Sequence, residues 1–196
     1  MNSTHDPKFG QRFADAFAYA CEAHATQFRK GSHVPYVAHL MAVASLAMEA
    51  GGDEDVAIAA LLHDAAEDAG GEDQLEEIGR RFGTRVQGIV RECSDCLVAD
   101  PKPAWRPRKE AYIASLDKVS DDAILVIASD KLHNLRTTVT DIAVHGKASL
   151  DKFSSSPSEQ LWYYTAVVER LAKRKVASRH MAGIQEAVNV LQLACG

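Results

Sequence analysis

Ala60-Leu61-Leu62-His63-Asp64-Ala65-Ala66-Glu67-Asp68-Ala69 begins as an apolar, alanine-rich run and then sets four ionisable groups in six positions. The stretch predicts a helix. At about 100° per residue, His63 and Glu67 share one face of it and Asp64 and Asp68 another, the four covering an arc of roughly 140°. Ile58, Leu61 and Leu62 lead directly into the cluster, which puts it at the edge of a core and not on a solvated stripe. On one continuous helix these acids lie near the negative pole of the macrodipole, a penalty of ~0.3–1 kcal/mol. A bound cation would offset both that penalty and the mutual repulsion, so the reading turns on whether other elements supply further donors.

The 196 residues fit one domain, and 46% hydrophobic with 25% charged residues is an ordinary globular composition. A net charge of -5 argues against a broad surface for a nucleic-acid polymer while leaving room for a local basic pocket. No apolar run reaches the ~20 residues that span a bilayer, and Met1 to Pro7 lacks the pattern of a signal peptide. The expected location is cytoplasmic, with no membrane partner. Cys21, Cys93, Cys96 and Cys195 form no secreted disulfide framework. Cys93-Ser-Asp-Cys96 stands alone in a helical pattern, so packing explains it better than zinc.

Helical periodicity runs through almost the whole chain. A first helix is expected over residues 7–28, ended by Arg29-Lys30-Gly31. A second is opened by Pro35 and closed near Ala50. The central helix has Asp53 as its N-cap, with Glu54 and Asp55 in the first turn. Further helices are expected over 72–82, from a Thr84 cap through Cys93, and up to Lys118. Asp100 to Lys109 is read as a loop by its prolines and is the most basic local stretch, with Lys102, Arg106, Arg108 and Lys109. Asp121 and Asp122 cap the next helix, whose run Ile124-Leu-Val-Ile127 is buried on all sides. Two helices, over 158–175 and 178–193, complete the chain.

The helix that starts at Asp121 carries Ser129-Asp130-Lys131-Leu132-His133-Asn134-Leu135. A carboxylate following a core-forming run must be paired, protonated or metal-bound. Lys131, about 100° around the helix, is not expected to be the partner of Asp130, whereas Asn134 lies on the same face. The second helix adds His39 among Val37, Leu40, Met41 and Val43. A single histidine there is ordinarily a satisfied core residue. His39, His63, Asp64 and Asp130 taken together are an N/O donor set suited to a divalent transition metal, delivered from three helices as bundles deliver metal sites.

The order His…His-Asp…Asp resembles the HD superfamily of metal-dependent phosphohydrolases. Phe28-Arg-Lys-Gly31, Pro35-Tyr-Val-Ala-His39, Ala60-Leu-Leu-His-Asp64, Glu67-Asp68 and Ser129-Asp-Lys-Leu-His-Asn-Leu135 look like the hydrolase domain of the RelA/SpoT alarmone enzymes. Trp105-Arg-Pro-Arg-Lys-Glu-Ala-Tyr112 and Leu161-Trp-Tyr-Tyr164 resemble the small stand-alone bacterial alarmone hydrolases. The resemblance implies an all-α, single-domain HD-type bundle over 1–196, its core at about 10–172 and the helix at 178–193 packed on it. It implies one metal, usually Mn²⁺, on His39, His63, Asp64 and Asp130, and Glu67 and Asp68 as the catalytic pair. It further implies nucleotide contacts from Arg29, Lys30, Asn134 and Thr137. Arg108, with Arg106 and Lys109, is expected to add positive field for a polyanionic substrate.

The implied activity is removal of pyrophosphate from the ribose 3′ position of (p)ppGpp-like nucleotides. With no room for a second catalytic domain, the chain is expected to degrade the signal without making it. The alternatives are an HD hydrolase of another nucleotide (ppApp, a nucleoside monophosphate, the NADPH phosphate) or a regulatory HD protein without turnover. Two positions depart from the pattern. Leu40 follows His39 where proline is usual, and Ser156-Pro-Ser-Glu159 stands where the small hydrolases carry Gly-Lys-Glu, which removes a lysine. Of Trp162, Tyr163 and Tyr164, at least two are expected in the core. The last two helices are expected to cover the core or to form a homodimer face.

Overall fold

Asp53 accepts a hydrogen bond from the Val56 amide at 3.2 Å, and this cap starts the helix on which the quoted stretch lies. The computed structural model describes residues 9–97 and 103–195; the expected helix start at Pro7 and the basic Lys102 fall outside them. The α-helices are α1 (Gln11–Ala23), α2 (Val37–Glu49), α3 (Glu54–Leu62), α4 (Ala65–Ala69), α5 (Gly71–Phe82), α6 (Thr84–Cys93), α7 (Trp105–Ser115), α8 (Asp121–His145), α9 (Pro157–Leu171) and α10 (Ser178–Cys195). A 3-10 helix, Lys147–Lys152, joins α8 to α9, and a shorter one precedes α10. Among the described residues the extended pairing is one bridge, Phe28 to Pro35. The fold is all-α.

α8 is the axis of the bundle. It packs against α2, α3, α6 and α10, and everything on it from Ala123 to Asp130 is buried. On α3, every residue from Val56 to Leu62 is buried, as expected of a helix that is apolar all round. Ile58, Leu61, Leu62, Ile124 and Leu135 belong to one continuous core, so the donors that follow these runs in sequence are carried into it by their neighbours. The pair α9 and α10 covers the same core, α10 lying on both α8 and α9.

Four expectations about the elements are corrected. The central helix is not continuous: the chain turns at His63 and Asp64, which separate α3 from α4. Glu67 and Asp68 therefore occupy a first helical turn, where the dipole favours acids, so the expected penalty is absent. α1 stops at Ala23. The next residues form a tight loop in which the Arg29 amide donates to Val34 at 2.8 Å and the Tyr36 amide to Gln27 at 2.9 Å. Gly31 takes φ +73° at its tip, and Pro35 disfavours helix at the Val34 before it. Trp105 to Lys109 are helical and not a loop; Pro107 lies in the first turn, where a missing N–H costs nothing. α8 is capped by Ser120, whose side chain accepts from the Ala123 amide at 3.2 Å; Asp121 and Asp122 follow it.

The departure at Ser156 has a local purpose. Ser156 and Glu159 form a reciprocal capping box, with Pro157 as the first residue of α9. This satisfies two otherwise unpaired amides and fixes the start of α9. Ser156→Ala is expected to cost about 1 kcal/mol and to lower the midpoint of thermal unfolding by roughly 2–4 °C, read by calorimetry against the wild type.

Candidate metal centre and active-site cavity

α2, α8 and the turn after α3 bring the donors together, with His63 and Asp64 both on the turn. His39 Nε2 lies 3.2 Å from Asp130 Oδ1 and 3.6 Å from Asp64 Oδ2. His63 Nε2 lies 3.1 Å from Asp64 Oδ2 and 3.7 Å from Asp130 Oδ1. One ligand atom from each of His39, His63 and Asp130 falls within a sphere of contacts no longer than 4.8 Å. His39, His63 and Asp130 are buried, and Asp64 stands at the lip with its side chain 23% exposed.

The residues fit a divalent metal on a local observation. Both Nε2 atoms are buried without a hydrogen-bond partner, although carboxylate oxygens stand within ion-pair range and out of alignment. Their other nitrogens are engaged. His63 Nδ1 lies 2.8 Å from the Ala60 carbonyl and must donate to it, which leaves a lone pair on Nε2. His39 Nδ1 lies 2.8 Å from His133 Nδ1. Burial, then the cationic groups around it, Arg29 among them, drives His133 down to about 4, so His133 is neutral near pH 7 and can accept from His39. With Nδ1 so engaged, each imidazole in its neutral form turns the Nε2 lone pair toward two carboxylates, the arrangement that an ion-binding site requires.

The carboxylates are kept ionised against their burial. Desolvation pushes Asp130 up, but the Lys131 ammonium and the two imidazoles more than offset it and hold it well below the usual range. Asp64 is likewise held low by His63 and His39 in spite of burial. The same field draws a proton to His63, and a field that holds a proton there also holds a cation. The Tyr36 hydroxyl donates to Asp64 Oδ2 at 2.6 Å; burial and the Asp64 charge raise its pKa, so it stays a donor.

Lys131 corrects the helical-spacing argument. Its Nζ lies 2.7 Å from Asp130 Oδ2, because a four-carbon stem can fold back over one residue even though the Cβ directions diverge. The ammonium sits 5.4 Å from the Tyr112 ring and 5.7 Å from the Tyr163 ring. Asp130 is thereby divided: Oδ1 faces the histidines and takes the Asn134 amide, while Oδ2 takes Lys131.

Beside the donors lies a cavity of about 170 Å³ walled by Arg29, Glu67, Asp95, Lys109, Lys131 and Asn134 among others. It shares Arg29, Glu67, Lys109, Lys131 and Asn134 with a cavity of about 1160 Å³ whose walls add Lys30, His39, Trp105, Arg108, His133, Thr137 and Lys152. Arg29 Nη2 donates to Asn134 Oδ1 at 2.7 Å, and its guanidinium lies 5.7 Å over the Tyr36 ring. The Thr137 hydroxyl donates to the His133 carbonyl at 3.0 Å. Tyr163 and Tyr164 are buried and also wall the larger cavity, whereas Trp162 is half-buried under Arg106, whose guanidinium carbon is 3.3 Å from its ring centre.

The two acids of the expected catalytic pair are placed differently. Glu67 walls both cavities. Asp68 is exposed, accepts from Gln27 Nε2 at 2.8 Å and walls neither. Burial, then the neighbouring Asp95 carboxylate, pushes Glu67 up to about 7. Asp95 itself is buried, but Lys109 and Arg108 both bond its Oδ2 and hold it down to about 2. Arg108 also approaches Glu67 Oε1 at 3.7 Å. Tyr36, Asp95, Lys131 and His133 carry no role in the sequence reading. Tyr36 was findable, three residues before His39 on one helical face, but Asp95 meets its partners only across a loop.

The HD domain family matches residues 16–150. Over 128 residues the chain is 38% identical to the guanosine-3′,5′-bis(diphosphate) 3′-pyrophosphohydrolase MESH1 of Drosophila melanogaster, covering 64% of this chain and 68% of that one. It is 33% identical over 159 residues to the guanosine-3′,5′-bis(diphosphate) 3′-pyrophosphohydrolase of Haemophilus influenzae, which covers 78% of this chain but 21% of that longer protein. A solved structure described as a metazoan ortholog of SpoT that hydrolyzes ppGpp and plays a role in starvation responses superposes with a TM-score of 0.74. It covers 98% of this chain and 100% of that one at 29% identity. The matched segment spans more than half of the chain and contains His39, His63, Asp64 and Asp130, and the chain belongs to the HD domain family.

Proposed function

We propose that this protein is a metal-dependent guanosine-3′,5′-bis(diphosphate) 3′-pyrophosphohydrolase that works on Mn²⁺. The observation that carries the reading is the convergence of His39, His63, Asp64 and Asp130 beside a cavity walled by Arg29, Lys30, Arg108, Lys109, Lys131 and Lys152. A site for one cation next to six basic side chains suits a substrate with several phosphates, even on a chain of net charge -5. The relatives' activity points the same way. The cysteines are thiols and not disulfides, in agreement with a reducing, cytoplasmic setting.

His39, His63, Asp64 and Asp130 would hold the ion, with Asn134 and Lys131 steadying Asp130 and Tyr36 steadying Asp64. When bound, such an ion lowers the pKa of water and polarises a phosphoryl oxygen. Hydrolysis breaks the bond between phosphorus and the ribose 3′ oxygen, which must leave with a proton. Glu67, kept protonated near neutral pH by burial beside Asp95, suits the donor of that proton. Asp68, bonded by Gln27 and walling neither cavity, is assigned the complementary role of taking up the proton of the attacking water by way of solvent and not by direct contact. Arg29, Lys30, Asn134 and Thr137 line the route to the nucleoside, and Arg108, drawn in by Asp95, faces the phosphates next to Glu67.

Two measurements test this. Pyrophosphate release from ppGpp is expected with Mn²⁺ and not with excess chelator, and Asp130→Ala should lose both metal content and turnover, the latter by more than about a hundredfold. Release of phosphate from NADPH or nucleoside monophosphates, with none of pyrophosphate from ppGpp, would move the assignment to another HD hydrolase. The second concerns Glu67, whose raised pKa means that folding opposes its ionisation. The cost is absent below about pH 4.5, grows as pH rises and is complete above about 7. Glu67→Gln, metal-free, should therefore unfold at higher denaturant than the wild type at pH 8, by on the order of 1–3 kcal/mol, and match it at pH 4. With metal restored it should lose turnover.

A further inference from the structure

The basic residues of the two cavities fall into two groups. Arg29, Lys109 and Lys131 wall the small cavity at the donors as well as the large one. Lys30, Arg108 and Lys152 wall the large cavity alone. Arg108 is drawn toward Asp95 and Glu67, on the metal side. Lys152, at the end of the 3-10 helix, pairs with Asp141, eleven residues and about 16 Å along α8 from Asp130, so it and Lys30, on the loop after α1, serve the part of the cavity away from the metal.

These two segments are locked together. Gly31 has φ +73°, and a Cβ there would stand 3.1 Å from Cδ and 3.2 Å from Cβ of Lys152. The loop that carries Lys30 thus closes directly on the Lys152 stem, which only glycine permits. The Lys152 ammonium is not a solvated tail. It is ion-paired with Asp141 of α8, lies 5.3 Å over the Phe153 ring and belongs to a side chain that is 19% exposed.

We infer that Lys152, with Lys30 beside it, is the subsite for the 5′-diphosphate of the nucleotide and sets a preference for substrates phosphorylated at both ends. The inference rests on the 3′-pyrophosphohydrolase reading. A 3′,5′-bis(diphosphate) is anionic at two separated points, and the cations at the metal can serve only one of them. The chain lacks a lysine just before Leu161, where Ser156 to Glu159 form the capping box, and Lys152 supplies positive charge from the preceding element. Asp141 holds the ammonium in place in the free enzyme, and the more highly charged terminal phosphate displaces it as the stronger partner.

The test compares Mn²⁺-loaded wild type, Lys152→Met and Lys152→Arg on two substrates that share the 3′-diphosphate, one with a 5′-diphosphate and one with a 5′-hydroxyl. Methionine keeps the stem against Gly31 and removes the charge. The wild type should prefer the 5′-diphosphate in kcat/KM, chiefly through KM. Lys152→Met should cut that preference by roughly tenfold or more, and Lys152→Arg should restore most of it. An unchanged ratio, or an equal fall on both substrates, overturns the inference. A second arm needs no turnover: calorimetric binding of GDP and of guanosine to metal-free protein. Lys152→Met should weaken GDP roughly tenfold and leave the GDP-to-guanosine difference small; a wild type that does not favour GDP over guanosine overturns the subsite. If the wild type favours GDP but releases no pyrophosphate, the hydrolase reading fails and the subsite stands.

Discussion

Two carboxylates and two imidazoles meet beside a hydrophobic core, and their mutual electrostatics is the constraint around which the helices are arranged. Buried charge of one sign is among the costliest things a fold can contain. Here each charged group has a partner from another element or from its own helix. Asp130 has Lys131 and Asn134, and Asp64 has Tyr36. Asp95 has Arg108 and Lys109. The partners in turn are packed among aromatic rings, Lys131 and Lys109 over Tyr112 and Tyr163. The aromatic residues of α7 and α9 are therefore as much a part of the electrostatics as of the packing.

The turn between α3 and α4 solves a problem of direction. Adjacent residues on a continuous helix point about 100° apart, which suits poorly two donors meant for one ion. Breaking the helix at His63–Asp64 lets the imidazole point back toward α2 and α8 while the carboxylate reaches the lip, 3.1 Å from it. It also starts a new helical turn under Glu67 and Asp68. The His63 ring is fixed by the Ala60 carbonyl, one turn back on α3, so the rigid buried helix and not the turn sets its orientation.

Much of this was legible in the sequence. The donor-bearing helices, the Asp53 cap and the burial of Ile124 to Ile127 follow from periodicity and capping. The residues proposed for the metal could be picked out because charge directly after a buried run demands a partner. What was hidden has physical causes. Nothing local breaks Leu62-His63-Asp64-Ala65, whose residues all tolerate helix, and only convergence with α2 and α8 explains the turn. The early end of α1 depends on a loop closed by Gly31 and Val34–Pro35. Lys131 eluded a rule built on Cβ directions because a long side chain is not bound by them. Asp95 looked like a polar residue in a terminal turn, its role set by two cations 13 and 14 residues further on.

α8 runs unbroken for 25 residues and acts as a ruler. Asp130, Asn134, Thr137 and Asp141 recur at intervals of four, three and four, which brings them within about 40° of one line along the helix. The eleven residues from Asp130 to Asp141 span about 16 Å at 1.5 Å per residue. One rigid element thus sets the separation between the ion's carboxylate and the carboxylate that pairs with Lys152. Point changes in the cavity can alter what is gripped at either end, but not the length between the grips. Inserting a single residue into that stretch would turn one end by about 100° relative to the other, so the register of α8 is a length standard that a family built on this helix cannot alter one residue at a time.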